Sequence, residues 1–253
     1  MNTVLLTSYF SKKLHPQRGD PNIVGVTKDG RVKVQDFSYI EDWYNSVNKL
    51  NLKAVIFHDD LNDEFVEKYS TDRISFVKTD TSKTVLSNND WRFFCYQDYL
   101  KDNKHDAVFM TDCSDVIVVK DPSELCEIEE CAFFVGKDID IKWSDYRYAN
   151  YSYEQIHQAC GWNGIDFFKE KGKDLDLINM GVLGGTQENV EIFLDFFTKI
   201  RSSSKTELNI NMAIGQFIFR FIFQGNNICV GKPLTSEYKK YQKDRKDVFF
   251  IHK

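Results

Sequence analysis

The sequence predicts an α/β domain built on a mainly parallel central sheet with helices on both faces. Three observations carry that prediction. Through the first half of the chain, short apolar runs of strand length alternate with segments whose apolar residues recur at helical spacing. Parallel neighbours need a crossover of about that length, so the alternation reads as βαβ units. The 253 residues include only 4 Pro and 13 Gly against 21 Phe and 12 Tyr, a composition with little linker and large apolar faces.

The elements follow in order. Residues 3–9 (TVLLTSY) form a buried strand. Phe37, Ile40, Trp43, Tyr44, Val47 and Leu50 place a helix over 37–50. Residues 53–58 (KAVIFH) are a second strand, 62–69 a short helix, and 74–79 (ISFVKT) a third strand. A helix over 88–103 carries Trp91, Phe94, Cys95, Tyr99 and Leu100 on its apolar face, with Asn88 or Asn89 as its cap. Residues 106–111 (DAVFMT) are the fourth strand. Beyond it come a strand at 131–136, a polar and aromatic loop at 137–150, and a strand-turn-strand at 177–186 (LINMGVLGGT). Helices over 188–201 and 207–223 and a last strand at 248–252 complete the reading. One domain over 1–253 is expected, with a nucleotide-sized part to about residue 120 and a substrate-sized part over 121–253.

Charge narrows the partners. With 33 Lys+Arg against 38 Asp+Glu, the net charge is −5, which argues against a nucleic-acid binder. An anionic substrate would then need local positive charge from a few Lys or Arg, a helix N-terminus or a metal. No run approaches the ~18 apolar residues of a membrane span, and Arg220 interrupts the most apolar one. Val4-Leu5-Leu6 is too short for a signal-peptide core, so a soluble cytoplasmic protein is expected. The 6 cysteines show no C-x-x-C spacing and no histidine at zinc-finger distance, and are expected as free, mostly buried thiols.

Ligands of such sheets sit beyond the carboxyl ends of the strands. The sharpest chemistry there is Asp112-Cys113-Ser114-Asp115, where one carboxylate ends the fourth strand and a second follows three residues later. The chain turns beyond a strand end, so both can face one point and hold a hard divalent cation that keeps open positions for phosphate oxygens. The bland alternative is a turn in which Asp115 makes an Asx hydrogen bond.

This segment resembles the D-x-D signature, in its D-x-x-D form, of the GT-A class of nucleotide-sugar glycosyltransferases. The likeness is to the collagen glycosyltransferase domains attached to lysyl hydroxylases in particular. Asp121-Pro122-Ser123-Glu124-Leu125 is similar to the "DP…L" phrase that follows the signature in that class. Ile178-Asn179-Met180-Gly181-Val182-Leu183-Gly184-Gly185 resembles the glycine-bearing segment beside donor sugar and acceptor. Phe250-Ile251-His252-Lys253 resembles the hydrophobic-His element that completes the metal site.

The resemblance, which spans nearly the whole chain, implies a single GT-A domain with a Rossmann-like sheet. It also implies a hexosyl- or pentosyltransferase moving sugar from a nucleoside-diphosphate donor, UDP by analogy, to a glycan or glycoprotein hydroxyl. Asp112, Asp115 and His252 would hold Mn²⁺ or Mg²⁺. Thr7, Ser8, Tyr9, Arg18, Asp59, Arg92, Asp112, Ser114, Asn179, Gly181, Gly184, Gly185 and Lys253 would border the donor. Tyr9 is expected to stack on the base or else to pack in the core, and Arg92 to bind nucleotide or orient the acidic motif. Lys253 would place its charge at the diphosphate.

The chain departs from the class at 206–213 (TELNINMA), where relatives often carry an acid at the start of a late helix. Asn209 and Asn211 are amides and cannot act as general bases. Glu207 and Asp138 are the candidate bases, with Asp140 and Asp145 beside them, and Glu207 could equally serve the helix dipole. Two other classes remain: a non-catalytic, metal-dependent sugar-binding module, and another metal-dependent phosphotransfer or nucleotidyl enzyme.

Overall fold

The computed structural model describes residues 1–11, 36–128, 131–145, 154–158, 170, 174–204, 206–223, 228–238, 240, 242 and 244–253. Four strands, β1 (Thr3–Tyr9), β2 (Lys53–His58), β3 (Ile74–Lys78) and β4 (Ala107–Thr111), are parallel and adjacent in the order β3-β2-β1-β4. The crossovers are helices α1 (Glu41–Lys49), α2 (Asp63–Tyr69) and α3 (Asn88–Asp102). Asn62 caps α2 by accepting from the Phe65 amide at 2.8 Å. Ser87, rather than Asn88 or Asn89, caps α3 by accepting from the Asp90 amide at 3.1 Å. The expected helix over 37–50 splits into a 3₁₀ turn at Phe37–Tyr39 and α1, because the Asp36 side chain caps the turn.

The rest of the sheet departs from a simple parallel succession. β7 (Asp176–Thr186) lies antiparallel between β4 and β6 (Phe133–Lys142), and β8 (Ile228–Val230) pairs parallel with β6 at the edge. The sheet is therefore mixed and mostly parallel, in the order β3-β2-β1-β4-β7-β6-β8. A separate ribbon pairs β5 (Val116–Val118) with β9 (Phe250–His252), antiparallel, with Val116 opposite His252.

Both faces of the sheet are covered, which is why its strands are apolar without interruption. Val4, Leu6, Val55, Phe57, Val108 and Met110 face α3, α4 (Gln187–Ser203) and α5 (Asn211–Phe217). The alternate residues Leu5, Ala54, Ile56 and Phe109 face α1 and α2, with Trp43, Tyr44, Val47 and Phe65 packed on them. Phe93 of α3 meets Phe197 of α4 with ring centroids 4.3 Å apart.

Four sequence expectations are corrected. β6 continues to Lys142, so the start of the expected 137–150 loop is strand. Residues 177–186 form no strand-turn-strand but lie in one strand of 11 residues. Its glycines adopt no left-handed backbone, since Gly231 is the described glycine with positive φ. The helix expected over 207–223 starts at Asn211, is followed by a π-helical turn at Ile218–Ile222, and leaves 206–210 irregular, with a bend at Leu208. A buried ion pair explains this. Arg201 Nε donates to Asp90 Oδ2 at 2.7 Å, while Arg201 Nη2 donates to the Thr206 carbonyl at 2.7 Å. The carbonyl is thus claimed before a helix can use it. Finally, Cys131 and Cys229 are joined as a disulfide across the β6–β8 edge, where free thiols were expected. Cys95, Cys113 and Cys126 are free, and Cys160 lies outside the described residues.

Candidate metal centre and adjoining cavity

β4 delivers Asp112 at its carboxyl end, and the turn into β5 brings Asp115 back beside it. β9 supplies His252 through its pairing with β5, and the Lys253 amide donates to the Asp115 carbonyl at 2.8 Å. One ligand atom of each residue lies within 4.8 Å of the others. His252 Nε2 stands 3.6 Å from Asp115 Oδ2 and 3.9 Å from Asp112 Oδ2. These separations are too long for hydrogen bonds and suit atoms that share a cation.

Three observations test whether this donor set fits a metal. The His252 side chain is 2% exposed, yet its Nε2 has no hydrogen-bond partner. A buried polar nitrogen without a partner costs free energy, and a cation between the side chains would satisfy it. Next, β7 passes under the site at Gly181. A Cβ there would lie 2.3 Å from His252 Cε1 and 2.7 Å from Asp112 Oδ2, so only glycine permits this approach. Finally, burial pushes the Asp112 carboxyl above its ordinary value; Arg92 pulls it back, and the Asp115 charge pushes it up again. Two carboxylates this close need positive charge. An imidazole with two carboxylates is a donor set for a Mn²⁺-like divalent ion.

Arg92 of α3 is buried beneath the site. Its Nη1 pairs with Asp112 Oδ1, and its Nη2 donates to the Met180 carbonyl at 2.9 Å. Burial alone would depress the guanidinium, but the charge and hydrogen bond of Asp112, with Tyr96 and Cys113 beside them, together outweigh it and hold the group protonated. The two side-chain contacts tie Arg92 to the acidic motif and to β7.

The centre opens into a cavity of about 350 Å³. Its walls include four carboxamides, those of Asn89, Asn179, Asn209 and Asn211, together with Asp138 and Tyr238. Asn179 braces this wall. Its Nδ2 donates to Asp138 Oδ2 at 3.0 Å, and its Oδ1 accepts from the Gly181 amide at 2.7 Å. Tyr238 packs on the His252 ring with centroids 4.4 Å apart.

The structure thus brings Asp112, Asp115, His252, Arg92, Asn179, Gly181 and Asp138 to one place. Ser114 is adjacent and exposed, with its hydroxyl 3.3 Å from Asp115 Oδ1. Other expected residues are committed elsewhere. Tyr9 is fully buried and stacks on Tyr39 at 4.9 Å, so it packs in the core rather than on a base. Thr7 is fully buried and donates to the Thr111 carbonyl at 2.8 Å, while the Ser8 carbonyl accepts from the Cys113 thiol. Asp59 accepts from the Ser11 amide at 2.7 Å and from the Thr81 hydroxyl at 3.2 Å, tying loops together.

Gly184 and Gly185 face the neighbouring strands. A Cβ on them would meet the Val108 and Ala132 carbonyl oxygens at 2.3 and 2.8 Å, so they serve close strand packing. The Lys253 ammonium pairs with Asp42 of α1 rather than facing the centre. Glu207 is exposed, precedes α5 and does not line the cavity. Arg18 and the side chain of Asp140 lie outside the described residues, and Asp145 is exposed in a 3₁₀ turn.

Sequence reasoning missed Asn89, Tyr238 and Tyr39. Tyr39 hydrogen-bonds Ser114 beside the acidic pair, and burial raises its hydroxyl pKa. None of the three carries a spacing signal, because each reaches the site through the path of a loop or helix. The chain matches no protein-family model and no curated protein. No described helix is long and apolar enough to cross a membrane.

Proposed function

We propose that the protein is a metal-dependent glycosyltransferase of the GT-A kind. It would move a sugar from a nucleoside-diphosphate donor, UDP by resemblance, to a hydroxyl of a glycan or glycoprotein. The observation that carries this is the unpartnered Nε2 of buried His252. It faces two carboxylates at the carboxyl end of β4, at the mouth of an amide-lined cavity.

Asp112, Asp115 and His252 are the residues that would hold Mn²⁺ or Mg²⁺. When bound, such an ion supplies Lewis-acid charge to the departing diphosphate. The protein's own groups do the rest. Arg92 fixes the rotamer of Asp112 through its ion pair. Asp138, oriented by the Asn179 amide, is the carboxylate outside the metal triad on the described cavity wall. We assign it to receive the acceptor hydroxyl's proton in a role that exposed Glu207 is badly placed to fill.

The test is Asp112→Asn, assayed for Mn²⁺-dependent release of nucleoside diphosphate from nucleotide sugars. Asparagine keeps an oxygen for Arg92, so the fold should persist while release disappears. Unchanged release would sink the metal assignment. Mn²⁺-dependent binding without release in the wild type would instead make the protein a sugar-binding module.

A further inference from the structure

The third ligand of the centre sits on β9, a strand of three residues that β5 pairs along one edge. The other edge is held by residues 234–236. The Phe250 amide donates to the Leu234 carbonyl at 2.9 Å, and the Ser236 amide donates to the Phe250 carbonyl at 3.0 Å. The Ser236 hydroxyl then closes on His252 itself. Its Oγ accepts from the His252 amide at 2.9 Å and donates to the His252 carbonyl at 3.4 Å. A hydroxyl can do both at once, and this one belongs to a residue only 1% exposed. Two residues on, Tyr238 packs on the imidazole. One short segment thus grips both the backbone and the ring of a single ligand.

The same segment is anchored at its far end. It leaves β8 at Gly231, where a φ of +79° turns the chain and the amide donates to the Val135 carbonyl of β6 at 2.8 Å. β8 is itself only three residues long, and the Cys131–Cys229 disulfide fastens it covalently to the chain entering β6. We infer that residues 229–238 form a strap, pinned by the Cys131–Cys229 disulfide, through which Ser236 positions His252 for the cation. Ser236 is a positioning residue, since its contacts are to the ligand's backbone. The inference rests on the metal reading above. Groups that orient a metal ligand from behind typically govern affinity by about 10- to 100-fold.

The experiment titrates the full chain with Mn²⁺ by calorimetry and reads the imidazole-nitrogen coupling of the bound ion by pulsed electron paramagnetic resonance. Ser236→Ala should weaken Mn²⁺ binding by about tenfold and diminish the nitrogen coupling. Cys131→Ser combined with Cys229→Ser should weaken binding by at least about threefold, because the strap then hangs on short strand pairing alone. Thr198→Val is the control for a merely structural loss. It removes a buried hydroxyl that donates to the Leu194 carbonyl within α4, and should leave affinity and coupling unchanged. In metal-free protein, hydrogen exchange of the His252 amide should quicken by roughly tenfold in Ser236→Ala, as a lost hydrogen bond predicts. Wild-type affinity in Ser236→Ala or in the double cysteine variant overturns the inference, as does an equal loss in Thr198→Val or unchanged exchange at His252. Each of those results leaves the metal reading standing. A wild type that binds no Mn²⁺ brings down both.

Discussion

Gly181→Ala is the most direct perturbation of the centre, because its consequence can be worked from distances. The new methyl would sit 2.3 Å from His252 Cε1, 2.7 Å from Asp112 Oδ2 and 2.8 Å from His252 Nε2. Carbon contacts are comfortable at roughly 3.5 Å or more, so the imidazole must retreat by about 1 Å. It has little room to do so, with Tyr238 packed on its ring and β9 fixing its backbone. The fold should survive at a cost of about 1–3 kcal/mol, the usual range for overpacking. The ligand geometry should not survive, since metal sites hold their distances to within roughly 0.2 Å. Two measurements check this: Mn²⁺ affinity by calorimetry, and the rise in melting temperature on adding Mn²⁺. At 100 times its Kd, a native-state ligand stabilises the wild type by about 2.7 kcal/mol. That increment should be largely absent in the variant. Equal Mn²⁺ affinity and an equal melting shift in the two proteins would refute the cradle argument. Gly184→Ala is the contrast, because its methyl meets the Val108 carbonyl oxygen at 2.3 Å, and backbone of a central strand cannot retreat. It should damage global stability instead, whether or not metal is added.

The remaining predictions concern the scaffold. Arg201→Met leaves Asp90 buried and unpaired, and should cost about 3–5 kcal/mol in chemical denaturation. The Asp176 carboxyl is held below its ordinary value by hydrogen bonds from Lys142 and Lys137, so its stabilising contribution exists above the unfolded pKa and fades as pH falls through the folded one. Asp176→Asn should therefore cost under about 1 kcal/mol at pH 7, since the pair is partly exposed, and nothing in strong acid. Burial pushes the Cys95 and Cys126 thiols up to about 11 and Cys113 up to about 12, so all three should resist alkylation in native protein at pH 8, as read by mass spectrometry.

The parallel half of the sheet was readable from sequence because its strands are buried on both faces and its helices carry apolar stripes with capping residues. Leu5 and Leu6, for instance, are both fully buried on opposite faces. The acidic pair was readable because a strand end fixes where Asp112 points. Other features depended on partners distant in sequence. The glycines of β7 look the same in a list of residues. Gly181 faces His252, whereas Gly184 faces the Val108 carbonyl, and only the register with β4 distinguishes them. Lys253 beside His252 suggested charge at the centre, but successive residues of a strand point to opposite sides, and its ammonium reaches Asp42. The late start of α5 follows from Arg201 capturing loop carbonyls, a contact no local pattern encodes.

The ribbon of β5 and β9 gives the site a place in the order of folding. Asp112 and Asp115 are neighbours in sequence and can meet as soon as β4 docks. The third ligand is different, because Val116 pairs with His252 across 136 intervening steps of chain. Closing a loop of that length costs entropy that local contacts do not repay, so such pairings form late. A donor set completed only by that closure is not available to a partly folded chain. If the proposed metal reading holds, tight cation binding would be a signature of the finished molecule, and a bound cation would in turn hold that long-range closure shut.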